Sequence, residues 1–297
     1  MRDRDSVAAA PNGAPTLSPS PLARTARRLR SLHFLPLWHR LVERLVPEDA
    51  ERAFLIQNDG LWFKGAMDSF IERQTYLFGQ YEAPFITAFL AAIPADRRGC
   101  ILDVGANVGT HSLAFAKAFA EVHAFEPNPH VFHKLLENLK LNPSLDVSAH
   151  MVGLSNTSAV LDFYLTEKEN LGLGTFSTVE QYDVPLIKAG TARVERGDDF
   201  LKDRLRRKVD AVKIDVQGFE PDVLLGLRNL LAKDRPYVWF EVTEPTLAKF
   251  SDQAALSAYF PYKIMLSKFG AQRGESPLCP WNRDALVRGD FLASPAD

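Results

Sequence analysis

Residues 100–127 read CILDVGANVGTHSLAFAKAFAEVHAFEP, and no other stretch narrows the possible fold so far. Ile101, Leu102 and Val104 form a short apolar run, the pattern of a strand buried in a parallel sheet. From Gly105 to Gly109 the chain must turn sharply and let its backbone approach a ligand, which a Cβ would obstruct. The helix expected next, over 108–119, aims its free N–H groups at that ligand. Val122 to Phe125 makes the following strand, with Glu126 at its end. A carboxylate about 20 residues past the glycines is placed to accept both hydroxyls of a ribose. Strand, glycine turn, helix, strand and acid together are the construction of a nucleotide-type cofactor site.

Spacing narrows the cofactor. A dinucleotide fingerprint needs G-x-G-x-x-G, but Asn107 and Thr110 hold its second and third glycine positions. NAD and FAD are therefore disfavoured, since the pyrophosphate needs the second glycine for close approach. A second block, VDAVKIDVQGFE from Val209, predicts a buried strand over 209–214 ending at Asp215. Gly218 opens the turn, and Pro221 suits the first position of a helix whose Val223, Leu224, Leu227, Leu230 and Leu231 make one apolar face. A third block, PYVWFEVTE from Pro236, ends its strand at Glu241. Glu126, Asp215 and Glu241 thus all lie at strand C-termini, where open α/β sheets bind their ligands.

The order DVGANVG, FEPNP, VKIDVQGFEPDVLLG and WFEV resembles the FkbM family of methyltransferases. FIERQTYLFGQYE with Tyr81 and Glu82, GLGTFS (172–177) and GDDF (197–200) resemble it too, so the likeness covers about 61–242. The resemblance implies a Rossmann-like class I methyltransferase fold: a seven-stranded, mostly parallel sheet with an antiparallel last strand. It implies S-adenosylmethionine as methyl donor and a hydroxyl of a sugar, glycolipid or natural product as acceptor. Asp103 would orient the loop or the methionine amine, and Gly105, Asn107 and Gly109 would shape the cofactor loop. Glu126 would hold the ribose. Leu154, Ser155 and Asn156 turn at the ligand face, which places Ser155 at the adenine. Gln217 stands where the family generally has Glu, and an amide keeps the hydrogen-bonding reach but cannot act as a base. A nicotinamide oxidoreductase and a non-catalytic cofactor-binding module are the two rival readings.

Methyl transfer to an alcohol needs in-line placement and a group to take the proton. Asp215 is the first candidate base and Glu241 the second; the two could instead share a divalent cation. The Asn/Asp-Pro-Pro-aromatic pattern of amine methylation is absent after the fourth strand, which favours oxygen as acceptor. His111, in the first turn after the glycines, is either a base or a residue near solvent. His130 and His133 share a helix face but bring no third ligand, and Cys100 and Cys279 give no metal spacing.

With 297 residues, 46% hydrophobic, the chain has ample material for one core, and the βα pattern continues without a linker. A net charge of −2 gives no basic excess of the kind that marks nucleic-acid binding. The sequence divides into a Pro-rich tail expected to be disordered (1–22), a basic amphipathic helical extension (23–60) and a methyltransferase-like domain (61–297). Arginines 24, 27, 28, 30, 40 and 44 would let the extension lie on an anionic membrane, or pack on the domain with those charges in water. No apolar run is long enough to span a bilayer, and a reducing cytoplasm is the default location. Strands expected at 160–165 and within 182–194 make a small β insertion, with Phe176 and Ser177 on its glycine loop. The sixth strand is expected at 262–266 and the seventh at 284–288. Their long connection, with Phe269, Arg273 and Trp281, would then wall the acceptor pocket.

Overall fold

The apolar runs around Leu102, Val212 and Phe240 become the centre of one large sheet. The computed structural model describes residues 5–6, 19–29, 41–42, 46, 52–166, 174–175, 186–250, 253–270, 278–281 and 286–296. Near the N-terminus β1 (Asp5–Ser6), β2 (Ala53–Asn58) and β3 (Leu61–Ala66) form an antiparallel sheet in that order. Asp5 and Ser6 pair with β2, most of the rest of the expected tail lies outside the described residues, and position 61 opens the second strand of the β2–β3 hairpin. The strand rather than helix over 53–58 follows from its pattern, since Phe54 and Ile56 alternate into the core.

The helix Pro21–Arg28 packs on the domain. Ser20 caps it by accepting from the Ala23 N–H at 3.1 Å, and Ala23 and Ala26 are buried. Arg27 is buried with them, donating to the Tyr76 carbonyl at 2.7 Å and to Asn58 Oδ1 at 2.9 Å. That guanidinium is committed to the protein rather than to a lipid surface. Most of the remaining basic segment lies outside the described residues, and no described helix is long and apolar enough to cross a membrane.

β4 (Cys100–Val104), β5 (Glu121–Phe125) and β6 (Val147–His150) run parallel. A four-stranded insertion follows from β7 (Gly153–Ser155), β8 (Ala159–Thr166), β9 (Gly174–Thr175) and β10 (Leu186–Arg196), in the order β7-β10-β8-β9. The main sheet resumes with β11 (Val209–Ile214) and β12 (Tyr237–Val242), and closes with β13 (Ile264–Phe269), β14 (Leu278–Trp281) and β15 (Gly289–Pro295). Its order is β14-β13-β15-β12-β11-β4-β5-β6. β15 enters antiparallel between β12 and β13, as the expected seventh strand should.

That strand lies at 289–295 rather than 284–288. A position between two neighbours demands apolar residues on both faces, and Phe291, Leu292 and Ala293 supply them. The sixth strand likewise runs on to Phe269, and its connection folds back as β14, an eighth edge strand paired to β13. Helices cover both faces. Glu220–Gly226 and Arg228–Asp234 pack over Leu102, Val212 and Phe240, while Ala83–Ala92 packs over Ile101, Ala211 and Trp239.

Candidate active site

A cleft enclosing about 940 Å³, part of it open to solvent, lies at the C-terminal ends of β4, β5 and β11. Its donor side is built by the glycine turn. Gly105 and Ala106 both donate N–H to the Phe125 carbonyl, at 3.0 and 2.9 Å, folding the turn against β5. Gly105 has φ +84°, and a Cβ there would stand 1.9 Å from the Asp215 carbonyl oxygen, so only glycine fits. Asn107, also left-handed at φ +51°, closes its own turn by accepting the Val108 N–H on Oδ1 at 2.8 Å.

The Asn107 N–H donates to Glu126 Oε2 at 3.1 Å, and the Asn128 N–H donates to Oε1 at 2.8 Å. Glu126 is thereby fixed on the cleft wall with acceptor capacity left on both oxygens. Burial pushes its carboxyl up to about 7, against the pull of those two N–H groups. Asp103 is fully buried behind the turn, accepting from Ser112 Oγ at 2.5 Å on Oδ2. Its Oδ1 makes no hydrogen bond and lies 3.9 Å from Lys213 Nζ. Gly109 starts the helix Thr110–Phe115 but does not line the cleft. Ser155 does not line it either. Its carbonyl sits in a notch at Gly226, where a Cβ would come within 1.8 Å, and Gly153 and Leu154 face the cleft instead.

On the other side Asp215 lines the cleft and stands at the head of a row of acids. Asp215 follows β11, and Glu241 on β12 is in register with Asp290 on β15. Lys213, buried in the strand before Asp215, donates to Asp215 Oδ2 at 3.2 Å. Burial alone would raise the Asp215 carboxyl, but Lys213 and the Gln217 hydrogen bond together hold it below the ordinary range. Glu241 is moved the opposite way, upward, by burial and by the neighbouring Asp215 and Asp290 charges. Asp290 accepts from Trp239 Nε1 at 2.8 Å, and burial with the nearby Glu82 pushes it up to about 7.

Gln217 joins two members of the row, its Nε2 donating to Asp215 Oδ1 at 2.9 Å and to Glu241 Oε2 at 3.3 Å. The amide thus sits where a cation shared by those carboxylates would lie. His111 is buried rather than near solvent, edge-on to Tyr81 and Trp239. Its Nε2 is 3.1 Å from Glu82 Oε2 but off the line of a hydrogen bond.

These residues suit a nucleoside-type cofactor. Glu126 offers paired acceptors and Val131, Leu154 and Phe163 offer apolar walls, whereas Asp103, expected at the methionine amine, is fully buried and does not line the cleft. Sequence reasoning missed Lys213 and Asp290. A lysine inside the apolar run VDAVKI, between two acid-bearing strands, was the available signal for the first. Asp290 was hidden by the misplaced last strand. His130 and His133 are exposed and join no metal-ligand grouping among the described residues. Phe269 is not a pocket wall, because its ring is buried against Phe85 and Trp239. Trp281 packs edge-on to Phe291, while Arg273, Phe176 and Ser177 lie outside the described residues.

Residues 103–264, more than half of the chain, match the model of the Methyltransferase FkbM domain family. The hexuronic acid methyltransferase AglP of Haloferax volcanii is 32% identical over 137 residues, 46% of this chain and 53% of that protein. The chain therefore spans about half the length of AglP. The 2-O-methyltransferase NoeI of Sinorhizobium fredii is 25% identical over 183 residues, 56% of this chain and 69% of that protein. Among solved structures, Methyltransferase FkbM from Methylobacillus flagellatus KT aligns with a TM-score of 0.42 at 13% identity, over 74% of this chain and 52% of that one.

Proposed function

Because this chain belongs to the FkbM methyltransferase family, we propose that it methylates a hydroxyl group of a glycan or other small-molecule acceptor. The observation that carries this reading is Asp215 on the cleft wall, a carboxylate that accepts from the buried Lys213 at 3.2 Å and from Gln217 at 2.9 Å. The relatives AglP and NoeI, named for a hexuronic acid and for a 2-O position, support an oxygen acceptor on a sugar.

The donor is S-adenosylmethionine, which supplies a methyl group on a sulfonium that departs as a neutral thioether. Glu126 would accept the ribose hydroxyls, and the turn at Gly105 and Asn107 would let the backbone close on the cofactor. Asp103, buried behind that turn, would hold it in place through Ser112. Asp215 accepts the hydroxyl proton of the acceptor and so orients a lone pair toward the donor side. A carboxylate with a depressed pKa is a weak base, yet it suffices. The acceptor oxygen becomes strongly acidic as it gains the methyl, so the proton leaves late. Lys213 keeps Asp215 ionised before the reaction. Gln217 fixes the angle of its carboxylate and ties it to Glu241 behind the cleft wall.

The test is acceptor-dependent formation of S-adenosylhomocysteine with a panel of glycosides and macrolides, with the product's methyl located by mass spectrometry. A methyl ether formed by wild-type protein and not by Asp215→Asn supports the reading. Methylation of an amine instead, or no acceptor-dependent turnover from bound donor, overturns it.

A further inference from the structure

The opposite end of the same two strands carries a second grouping that the cleft does not use. Cys100 opens β4 and Glu121 opens β5, directly paired in register, and His123 follows two residues on, on the same face of the sheet. All three are at most 2% exposed. Their sulfur, carboxylate oxygen and ring nitrogen all lie within 4.8 Å of one another, the only such set of Cys, His, Asp or Glu side chains among the described residues.

Two further observations point to a cation there. Glu121 Oε2 is buried and has no hydrogen-bond partner, although an unpaired buried carboxylate oxygen is costly. The nearest guanidinium is also shared. Arg206 lies 3.4 Å from Glu121 Oε1 but is also bound to both oxygens of Asp146, at 2.7 and 2.9 Å. One guanidinium thus serves two carboxylates. His123 is oriented as a ligating imidazole would be. Its Nε2 is hydrogen-bonded to Glu121 Oε1 at 2.8 Å, a contact that a cation between the two would replace, while its Nδ1 is 3.0 Å from His150 Nε2, an outer partner that fixes the ring.

We propose that Cys100, Glu121 and His123 bind a thiophilic divalent cation of the zinc class, at the end of the sheet remote from the cofactor cleft. A thiolate, an imidazole and a carboxylate make a ligand set that suits zinc and disfavours magnesium or calcium. Binding exchanges the thiol proton for the cation, one proton being released to solvent per ion. The ion would pin β4 to β5, the two strands that carry Gly105 and Glu126 at their far ends. The spacing was invisible in the sequence because Cys100 and Glu121 are brought together only by strand pairing.

The probe is Co²⁺ added to untagged, metal-stripped full chain, read by absorption, with Zn²⁺ as competitor. Wild-type protein and Cys279→Ser should each take up one cobalt per chain. Both should show a near-ultraviolet thiolate-to-cobalt band, and Zn²⁺ should erase it and raise Tm. Cys100→Ser should lose the band and weaken Zn²⁺ binding roughly tenfold or more. His123→Gln supplies the same test if Cys100→Ser does not fold. Failure of wild-type protein to take up either ion, or a band that survives in Cys100→Ser and in His123→Gln, overturns the proposal.

Discussion

The donor half of the cleft comes from one continuous stretch, with Gly105, Asn107 and Glu126 on a single strand–turn–helix–strand unit. The acceptor half is gathered from five places. Tyr81 and Glu82 precede that unit, His111 lies inside it, Asp215 and Glu241 end two later strands, and Asp290 arrives on the last. Their electrostatics differ as much as their origins. Glu126 is one carboxylate held by two backbone N–H groups, whereas in the acceptor half the buried Lys213 interacts with Asp215 and Glu82, and Asp215 in turn raises Glu241 and Asp290. A local unit can fix a binding contact by itself. A network that tunes acids against one another needs the whole sheet closed first.

The largest effect should come from the acceptor half. Asp215→Asn is expected to lower turnover by about a hundredfold to ten-thousandfold, the size of a general-base contribution. Affinity for S-adenosylhomocysteine, measured by calorimetry, should stay nearly unchanged. Loss of cofactor affinity in step with turnover would mean that the two halves act as one network.

Glu126→Ala tests the converse. Removing a charge-assisted hydrogen-bond pair should weaken cofactor binding by about 1.5 to 3 kcal/mol, roughly tenfold to 150-fold. Turnover at saturating donor should be retained. Unchanged affinity would show that Glu126 does not hold the ribose.

A smaller effect distinguishes the halves by proton uptake. Glu126, Glu220 and Asp290 are each pushed up to about 7 by burial, from ordinary values near 4. The folded chain therefore binds more protons than the unfolded chain between those limits. The stabilisation this gives is complete below the ordinary carboxylate range and is lost as pH rises through about 7. The cofactor-free protein should melt several degrees lower at pH 8 than at pH 6. Glu126→Gln and Asp290→Asn should each flatten that slope, one from each half. With saturating donor the Glu126 share should vanish, because ribose hydroxyls stabilise its carboxylate. A melting temperature that rises with pH would contradict the placement of these buried acids.

What the sequence disclosed follows the same division. The run from Cys100 to Glu126 was legible because its glycines, apolar strands and terminal acid are neighbours in the chain, and Asn107 and Thr110 separated it from a dinucleotide site. Asp215 and Glu241 were legible as strand-terminal acids, but not the opposite tuning that Lys213 and Gln217 impose on them. Asp290 was not legible. The last strand was expected at 284–288, while the true one carries Phe291, Leu292 and Ala293, whose unbroken apolar run reflects burial on both faces. Ser155 was misjudged by one position, because which residue of a turn faces a cleft depends on the notch at Gly226.

The smallest effect belongs to Trp281, expected from sequence to form an acceptor platform. Its ring packs edge-on to Phe291 at 5.5 Å, and Lys268 Nζ lies 5.7 Å from its centroid. Both contacts belong to the β13–β14–β15 edge of the sheet, and Trp281 does not line the cleft. A half-buried indole packed edge-on at the sheet edge contributes less than a fully buried one, so Trp281→Ala should cost about 1 to 2 kcal/mol of stability. The denaturant midpoint should fall while the m-value holds, since the rest of the sheet still unfolds as before. The acceptor's KM and the cofactor's Kd should both remain within about twofold of wild type, a change of under about 0.5 kcal/mol. A selective rise in acceptor KM would return this edge to the pocket wall and extend the acceptor half one strand further than the row at Asp215, Glu241 and Asp290.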